Sequence, residues 1–304
     1  MSSTSIVIPA YNASSTLPKV LGGLLSQNVR DFEVVLVDDA SIDDTSQVAK
    51  TFSGDLNLHI YKLDENRGRA GCRNYGVDKA NGEIILLLDS DIEATPDYVS
   101  THLQLHEQKD KAVGVGAQRF PDLLAKQAFG RYYIKRGGAR LKPGQTMPGR
   151  YFASGLASFR RSTFVELGGF DTNFTVYGGE DLELGLRFVK AGSELVFLPQ
   201  AVAYHHHLRP LKEIIRKLEV YGEHSIPLIL KKHPEVSAEL HLDDLTQPTG
   251  KTWKHLFMGA ATNGVFYKTL LGVASLCQSF LIPSPLLTYL IYSAYRRGFV
   301  RTLS

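Results

Sequence analysis

The chain has 304 residues, 43% of them hydrophobic and 21% charged, enough apolar material for one large core or a core with an appendage, which excludes an intrinsically disordered chain. A net charge of +3 argues against a general nucleic-acid binder, so no nucleic-acid partner is expected. The two cysteines, Cys72 and Cys277, sit far apart and in no spacing of a zinc site; a reducing, cytoplasmic environment is expected, and Met1–Asn12 lacks the pattern of a secretory leader.

Short apolar runs rich in β-branched residues predict strands at Ser5–Pro9, Phe32–Val37, Asn57–Tyr61, Glu83–Leu88 and Ala112–Gly116. Helical periodicity between them predicts helices over about 16–27, 43–52, 68–80 and 96–109. This is a βαβ series, and continuous runs such as Ile84–Leu88 ("IILLL") read as strands covered on both faces. The expected fold class is α/β with a mostly parallel central sheet and right-handed crossovers. In such a sheet the ligand crevice lies outside the carboxyl ends of the strands.

Three strand ends carry polar chemistry. The first gives Ile8–Asn12 ("IPAYN"), where Pro9 is read as ending the strand and Tyr11 offers an aromatic face; the second gives Val37–Ser41 ("VDDAS") and the fourth Leu88–Asp91 ("LDSD"). Each has an ordinary alternative: Asp39 or Asp44 capping the next helix, and Asp91 as a turn residue ahead of Pro96. Convergence of all three on one sheet edge favours a binding site. Asp89 and Asp91 stand one residue apart with nothing nearby in sequence to neutralise them, and such a pair repels unless a cation sits beside it. Their oxygens suit a hard divalent ion, magnesium or manganese, which also grips substrate phosphates. Neither a GxxxxGK[ST] loop nor a GxGxxG after the first strand is present, so a metal–diphosphate unit is expected at Asp89 and Asp91.

The strings "SIVIPAYNASSTLPKVLGGLLSQ", "FEVVLVDDASIDDT", "NRGRAGCRNYG", "GEIILLLDSDIEATPDYV", "SFRRSTFVELGGFD" and "YGGEDLELGLRFVKAG" follow one another in the order shown by family 2 glycosyltransferases of the GT-A fold, and the chain resembles that family over roughly residues 5–225. The resemblance implies a nucleotide-sugar donor, most often a UDP-sugar. Pro9, Ala10 and Tyr11 then border the base pocket, Asp39 hydrogen-bonds the base, Asp89 and Ser90 face the donor, and Asp91, with Asp89, ligates the ion. Arg73 matches the arginine of the family's "ARN" string as a donor-binding residue, although Cys72 replaces the alanine there; its ordinary alternative is a helix-surface arginine.

Glu180 and Asp181 begin a helix-like segment after two glycines, where the helix dipole favours carboxylates and a plain N-cap is the alternative. The resemblance implies Asp181 as general base and Glu180 as its support, in a single displacement that inverts the anomeric centre. Val202–Pro210 ("VAYHHHLRP") holds three consecutive histidines; on a strand His205 and His207 face one side and His206 the other. Related transferases place a metal or diphosphate ligand here, so His205 is the expected ligand and His207 the alternative, against a solvated cluster with no ligand role. The segment after it, with apolar residues at 211, 214, 215 and 218, is an amphipathic helix expected to pack on the sheet, with membrane contact as the alternative.

Between Arg119 and Arg150, Arg119, Lys126, Arg131, Lys135, Arg136, Arg140, Lys142 and Arg150 oppose only Asp122. An acceptor loop for an anionic substrate, a patch facing acidic lipid and a solvated loop all fit that bias. Leu256–Tyr295 carries Lys268 as its only charge, and Thr269–Tyr295 carries none before Arg296 and Arg297. Pro283 and Pro285 interrupt the run, and Tyr289, Tyr292 and Tyr295 beside a basic end suit a lipid–water boundary. A bent hairpin or interfacial helix pair is expected, with a packed helical subdomain as the alternative.

The expected organisation is a GT-A-like catalytic domain over 1–225, with a donor half at about 1–117 and an acceptor half at about 118–225, and a hydrophobic helical extension over 226–304. The expected function is transfer of a sugar, of the hexosyltransferase type, to a hydroxyl or phosphate of a carbohydrate or lipid-linked acceptor, with Mn2+ or Mg2+, at the cytoplasmic face of a membrane, as in building a cell-envelope glycan. A non-catalytic, membrane-associated nucleotide-sugar-binding protein is the alternative. A haloacid-dehalogenase-type phosphatase fits poorly, because Glu93 stands where that motif wants Thr or Val and the DxD follows the fourth strand.

Overall fold

The computed structural model describes residues 3–135, 137–141, 145–240, 242, 264–276 and 282–302. The chain divides into two compact units, the first holding Met1–Asp122, Ile134–Thr175 and Glu180–His207, the second Leu123–Tyr133, Val176–Gly179 and Leu208–Ser304.

One sheet organises the first unit. Its strands β1 (Thr4–Ala10), β2 (Glu33–Asp38), β3 (Leu58–Lys62), β4 (Ile84–Leu88), β5 (Ile92–Ala94), β6 (Ala112–Arg119), β7 (Leu156–Arg160) and β8 (Glu194–His205) lie in the order β3-β2-β1-β4-β7-β6-β8-β5. The β3-β2-β1-β4 portion and the β6–β8 pair are parallel, as the βαβ pattern predicts. β7 runs antiparallel to both β4 and β6, and β5 antiparallel to β8, so the sheet is mixed. β1 also continues through Pro9, which pairs with Val37, instead of stopping there. The pairing of β1 with β4 ends at Val7, so Pro9 sits where the strand keeps one neighbour and a missing N–H breaks no second ladder.

Helices α1 (Leu17–Leu25), α2 (Thr45–Lys50), α3 (Gly68–Lys79) and α4 (Tyr98–Gln108) are the crossovers. α5 (Asp122–Ala125) lies where the chain passes to the second unit, which holds α6 (Ala128–Tyr133); α7 (Arg161–Glu166) and α8 (Glu180–Lys190) return to the first. Successive strand residues face opposite sides, and both sides are covered. Ile6, Ile8, Leu86 and Leu88 pack with Leu21 and Leu24 of α1, while Val7, Val35, Ile85 and Leu87 pack with Val77 of α3 and Phe188 of α8. That double burial explains the uninterrupted apolar runs and fixes the strand ends on a stiff platform.

The second unit also holds α9 (Leu211–Val220), a π-helical turn (Tyr221–Ser225), α10 (Ile226–Lys232), α11 (Gly264–Leu276) and α12 (Ser284–Val300). The apolar face of α9 does not pack on the sheet as expected: Leu211 and Ile215 are buried with Tyr267, Leu287, Leu290 and Ala294 of α11 and α12. Glu219 of α9 pairs with Arg297 of α12 and with Arg301 just beyond its end, each at 3.5 Å. Residues 256–263 and 277–281 of the weakly charged run lie outside the described residues, as do Arg136 and Lys142 of the basic stretch. Among the described residues, no helix is long and apolar enough to cross a membrane. The compact second unit begins at Leu208 and takes in two earlier segments, so it does not coincide with the sequence division at 225.

Two histidines of α4 share one hydroxyl in the core: Ser158 Oγ of β7 lies 2.7 Å from His102 Nδ1 and 2.8 Å from His106 Nε2. One hydroxyl proton lets Ser158 donate to one ring and accept from the other. Burial, then His106, holds His102 down at about 3; burial, then Arg160, holds His106 down at about 4. In the unfolded chain both rings protonate near pH 6.5. Below that the unfolded state binds more protons than the folded one, so stability falls as pH drops towards the folded values. Replacing His106 with Asn should therefore cost less stability at pH 5 than at pH 7, by about 2 kcal/mol in urea unfolding, since one ring's linkage is removed.

Candidate functional site

The loops that follow β1 and β2 are laced together. Asn12 N–H donates to Ser41 Oγ at 2.9 Å, Ala13 N–H to Thr45 Oγ1 at 2.8 Å, and Ile42 N–H to Asn12 Oδ1 at 3.0 Å. Tyr11, half-exposed, therefore shares a rim with Asp39, whose own N–H bonds Ala10 O at 2.8 Å. Asn12 and Ala40 adopt φ of 49° and 60°, a left-handed backbone that the lacing holds in place. Asp38, a residue not singled out from the sequence, is the structural half of the doublet: wholly buried, it accepts from Ser41 N–H at 2.8 Å and from Ser46 Oγ. Asp39 Oδ1 accepts Arg67 N–H at 2.7 Å, so it caps the entrance of α3 and not that of the next helix, α2. Burial pushes the Asp39 carboxyl above its usual range, opposed by the Arg67 and Gly68 amides.

Asp89, Ser90 and Asp91 form the turn that carries the chain from β4, inside the sheet, to β5 at its edge. Asp89 is not left without a counterion. Arg73 of α3, 3% exposed, places Nη2 2.9 Å from Asp89 Oδ1 and Nη1 3.5 Å from Glu180 Oε1 and 3.7 Å from Asp181 Oδ1. The helix-surface alternative for Arg73 is thus excluded, and its guanidinium faces carboxylates of this chain. Burial alone would favour loss of its proton; Asp89, Asp181 and Glu180 outweigh that and hold it more firmly charged than a free guanidinium. Gly155 makes the close approach possible, since a Cβ there would lie 2.3 Å from Asp89 Oδ2. No sequence signal marked Gly155.

Glu180 and Asp181 open α8, as expected. Glu180 is buried, and burial followed by the neighbouring Asp181 raises its pKa despite Arg73 and Arg69. Asp181 is partly exposed; its Oδ2 accepts Ser154 N–H at 3.2 Å, while Oδ1 is buried without a hydrogen bond. The outward-facing oxygen is therefore Oδ2, with one lone pair held by Ser154.

Asp91 Oδ2 lies 3.3 Å from His205 Nε2 at the end of β8, where Ile92 pairs with His205. His206 and His207 lie beyond the strand, so the alternation expected for a strand does not govern them. His206 turns to Glu93, and His207 contributes its N–H to His205 Nδ1 at 3.1 Å. A carboxylate and an imidazole this close, partly exposed at a sheet edge, fit a divalent ion such as Mn2+. Because His205 Nδ1 accepts the hydrogen bond of the His207 N–H, Nε2 carries the ring hydrogen here; ligation through Nε2 calls for the other tautomer. Asp89 is engaged by Arg73, and among the described residues no group of three His, Cys, Asp or Glu side chains forms a metal cage. Two protein ligands with the rest supplied by phosphate and water is the usual arrangement for such ions at nucleotide sites.

The structure thus gathers Arg73, Asp89, Glu180 and Asp181 into one cluster, pairs Asp91 with His205, and sets Pro9, Ala10, Tyr11 and Asp39 on the rim formed by β1 and β2. His207 and His206 have other partners. Carboxylates and an aromatic–acidic rim at the carboxyl edge of a mixed α/β sheet are the arrangement of the GT-A class. The chain belongs to glycosyl transferase family 2, whose model matches residues 5–168; a second model, described as the N-terminal domain of galactosyltransferase, matches residues 139–210. It is similar to the uncharacterized glycosyltransferase YfnE of Bacillus subtilis, at 29% identity over 66% of this chain and 64% of that one. Among solved structures it resembles the mannosyltransferase PcManGT of Pyrobaculum calidifontis in complex with GDP-Man and Mn2+, at a TM-score of 0.64, 22% identity and coverage of 97% and 86% of the two chains. It also resembles S. aureus TarS 1–349 in complex with UDP, at a TM-score of 0.56, 18% identity and coverage of 99% and 92%. The chain spans 64% down to 34% of the length of the curated relatives it first matches.

Replacing Arg73 with Met strands three carboxylates without their shared cation. The expected cost is about 3 kcal/mol or more in chemical denaturation. Gly155→Ala should push the Asp89 carboxylate off Arg73 and lower Tm, by less than Arg73→Met does, because Glu180 and Asp181 keep their cation.

Proposed function

We propose that the chain is an inverting, metal-dependent glycosyltransferase that moves a hexosyl unit from a nucleoside-diphosphate sugar to a hydroxyl or phosphate of an acceptor. The observation that carries the reading is the gathering of Asp89, Glu180 and Asp181 around buried Arg73 beside the Asp91–His205 pair. With Arg69 3.8 Å from Glu180 as a second guanidinium, three ionised carboxylates still leave the cluster one charge negative, an environment that favours an added cation. The donor carrier is UDP in this reading, supported by the family membership and by the UDP bound to the TarS neighbour; the GDP-Man of the mannosyltransferase makes GDP the competing carrier.

In this reading Tyr11 and Asp39 flank the base, and the Asp89–Asp91 turn faces the diphosphate. Asp91 and His205 hold the divalent ion, which when bound supplies Lewis-acid stabilisation of the leaving diphosphate. Asp181 takes the acceptor's proton on Oδ2, whose orientation is set by Ser154 N–H. Glu180, packed beneath it against Arg73, holds the start of α8 in place. Attack from the side opposite the departing diphosphate inverts the anomeric carbon. The acceptor in this reading is a lipid-linked or cell-envelope glycan and the site of action the cytoplasmic face of a membrane, supported by the weakly charged run before Arg296.

The test is a screen of UDP-, GDP- and dTDP-sugars with Mn2+ or Mg2+, scored as nucleoside diphosphate release. Release from one donor, abolished by chelator and reduced at least a hundredfold in Asp91→Ala and Asp181→Ala, is the expected result. Absence of any metal-dependent donor binding would overturn the reading. The product's anomeric proton coupling, read by NMR, should show the configuration opposite to that of the donor.

A further inference from the structure

Asp91 and His205 come from different stretches of chain, and their 3.3 Å separation depends on what fixes each backbone. The start of α1 touches both. Thr16 Oγ1 donates to Ser90 O at 2.6 Å, the carbonyl between the two aspartates of the turn. One helical turn on, Lys19 Nζ lies 3.4 Å from His206 Nδ1, and His206 Nε2 bonds the Glu93 carboxylate. Lysine only donates and a carboxylate only accepts, so His206 is the neutral Nε2–H tautomer, linking Lys19 to Glu93 through its ring. Glu93 itself sits on β5, paired opposite Tyr204 of β8. Close packing fixes α1 over β5: a Cβ at Gly23 would lie 2.9 Å from Ala94 O and 3.1 Å from Glu93 Cγ.

Resting on the metal reading above, we infer that α1 is the element that sets the spacing of the metal ligands. Thr16 and His206 are its positioning residues: Thr16 pins the backbone that presents Asp91, and His206, held between Lys19 and Glu93, pins the strand end that presents His205. Neither reaches the ion. Each acts as partners behind a first ring of ligands act, and loss of such a partner typically weakens metal affinity by about 10- to 100-fold.

The experiment is Mn2+ binding to the full chain, read from the electron paramagnetic resonance signal of free Mn2+ and therefore independent of turnover. Thr16→Val and His206→Phe should each weaken Mn2+ about tenfold while Tm stays near wild type, and Thr16→Ser should restore binding. Asp91→Asn and His205→Ala should abolish it. If those two lose Mn2+ while Thr16→Val and His206→Phe bind like wild type, the positioning role is overturned and the metal reading stands. If Asp91→Asn and His205→Ala bind Mn2+ unchanged, the metal reading falls and the positioning role with it. Should one positioning variant fail to fold, Glu93→Ala, which removes the anchor of His206 from the other side, carries the same expectation.

Discussion

One buried guanidinium decides the geometry of this protein. Arg73 meets Asp89 from the end of a strand and Glu180 and Asp181 from the start of a helix more than a hundred residues later, with only 3% of its side chain exposed. Ion pairs in such a place contribute little stability in sum, because desolvating the charges costs about as much as their attraction returns. Their effect is on specificity of arrangement. Moved away from Arg73, buried Glu180 would be left to the more distant Arg69 and part-exposed Asp89 would give up its 2.9 Å ion pair, so the turn after β4 and the first turn of α8 are held to one relation. The aliphatic cores on both faces of the sheet make that relation stiff, since neither α3 nor α8 can shift without opening packed apolar contacts.

From that constraint the division of labour among the carboxylates follows. Asp89 is drawn inward to Arg73, Glu180 is buried and pushed towards its neutral form, and Asp181 turns Oδ2 outward under a backbone amide. Asp91, one residue beyond Ser90, escapes the cluster and meets His205. Two carboxylates in one short motif thus receive different environments, one paired inward with Arg73 and one beside His205. In the proposed transfer reaction, the inward group fixes the donor-facing turn and the outward groups meet cation and acceptor.

Much of this was legible in the residues. The βαβ alternation, the polar strand ends and the carboxylates at the start of α8 all have local signatures: periodicity, abrupt changes of polarity and a pair of glycines before a helix. The missing parts depend on distance in space. Arg73 lies on a helix whose sequence is polar, and nothing local distinguishes a buried guanidinium from a solvated one; only the facing carboxylates, far along the chain, do. Gly155 and Ser154 act through a missing Cβ and a backbone amide, neither of which leaves a motif. β5 is three residues long and β7 breaks the parallel pattern, so the mixed character of the sheet was hidden. The apolar face of α9 signalled burial correctly but not its partner, since periodicity does not say whether a sheet or another helix covers it.

The most direct measurement of Arg73's organising role is a double-mutant cycle. Unfolding free energies of wild type, Arg73→Met, Glu180→Gln and the double variant isolate the energy shared by the two side chains. If Arg73 is the shared counterion, the single substitution of Arg73 is severe and the second partly relieves it, giving a coupling of about 2 kcal/mol or more. Costs that add to within about 0.5 kcal/mol would mean that the two groups do not depend on each other, and the account of the site as one electrostatic unit would be wrong.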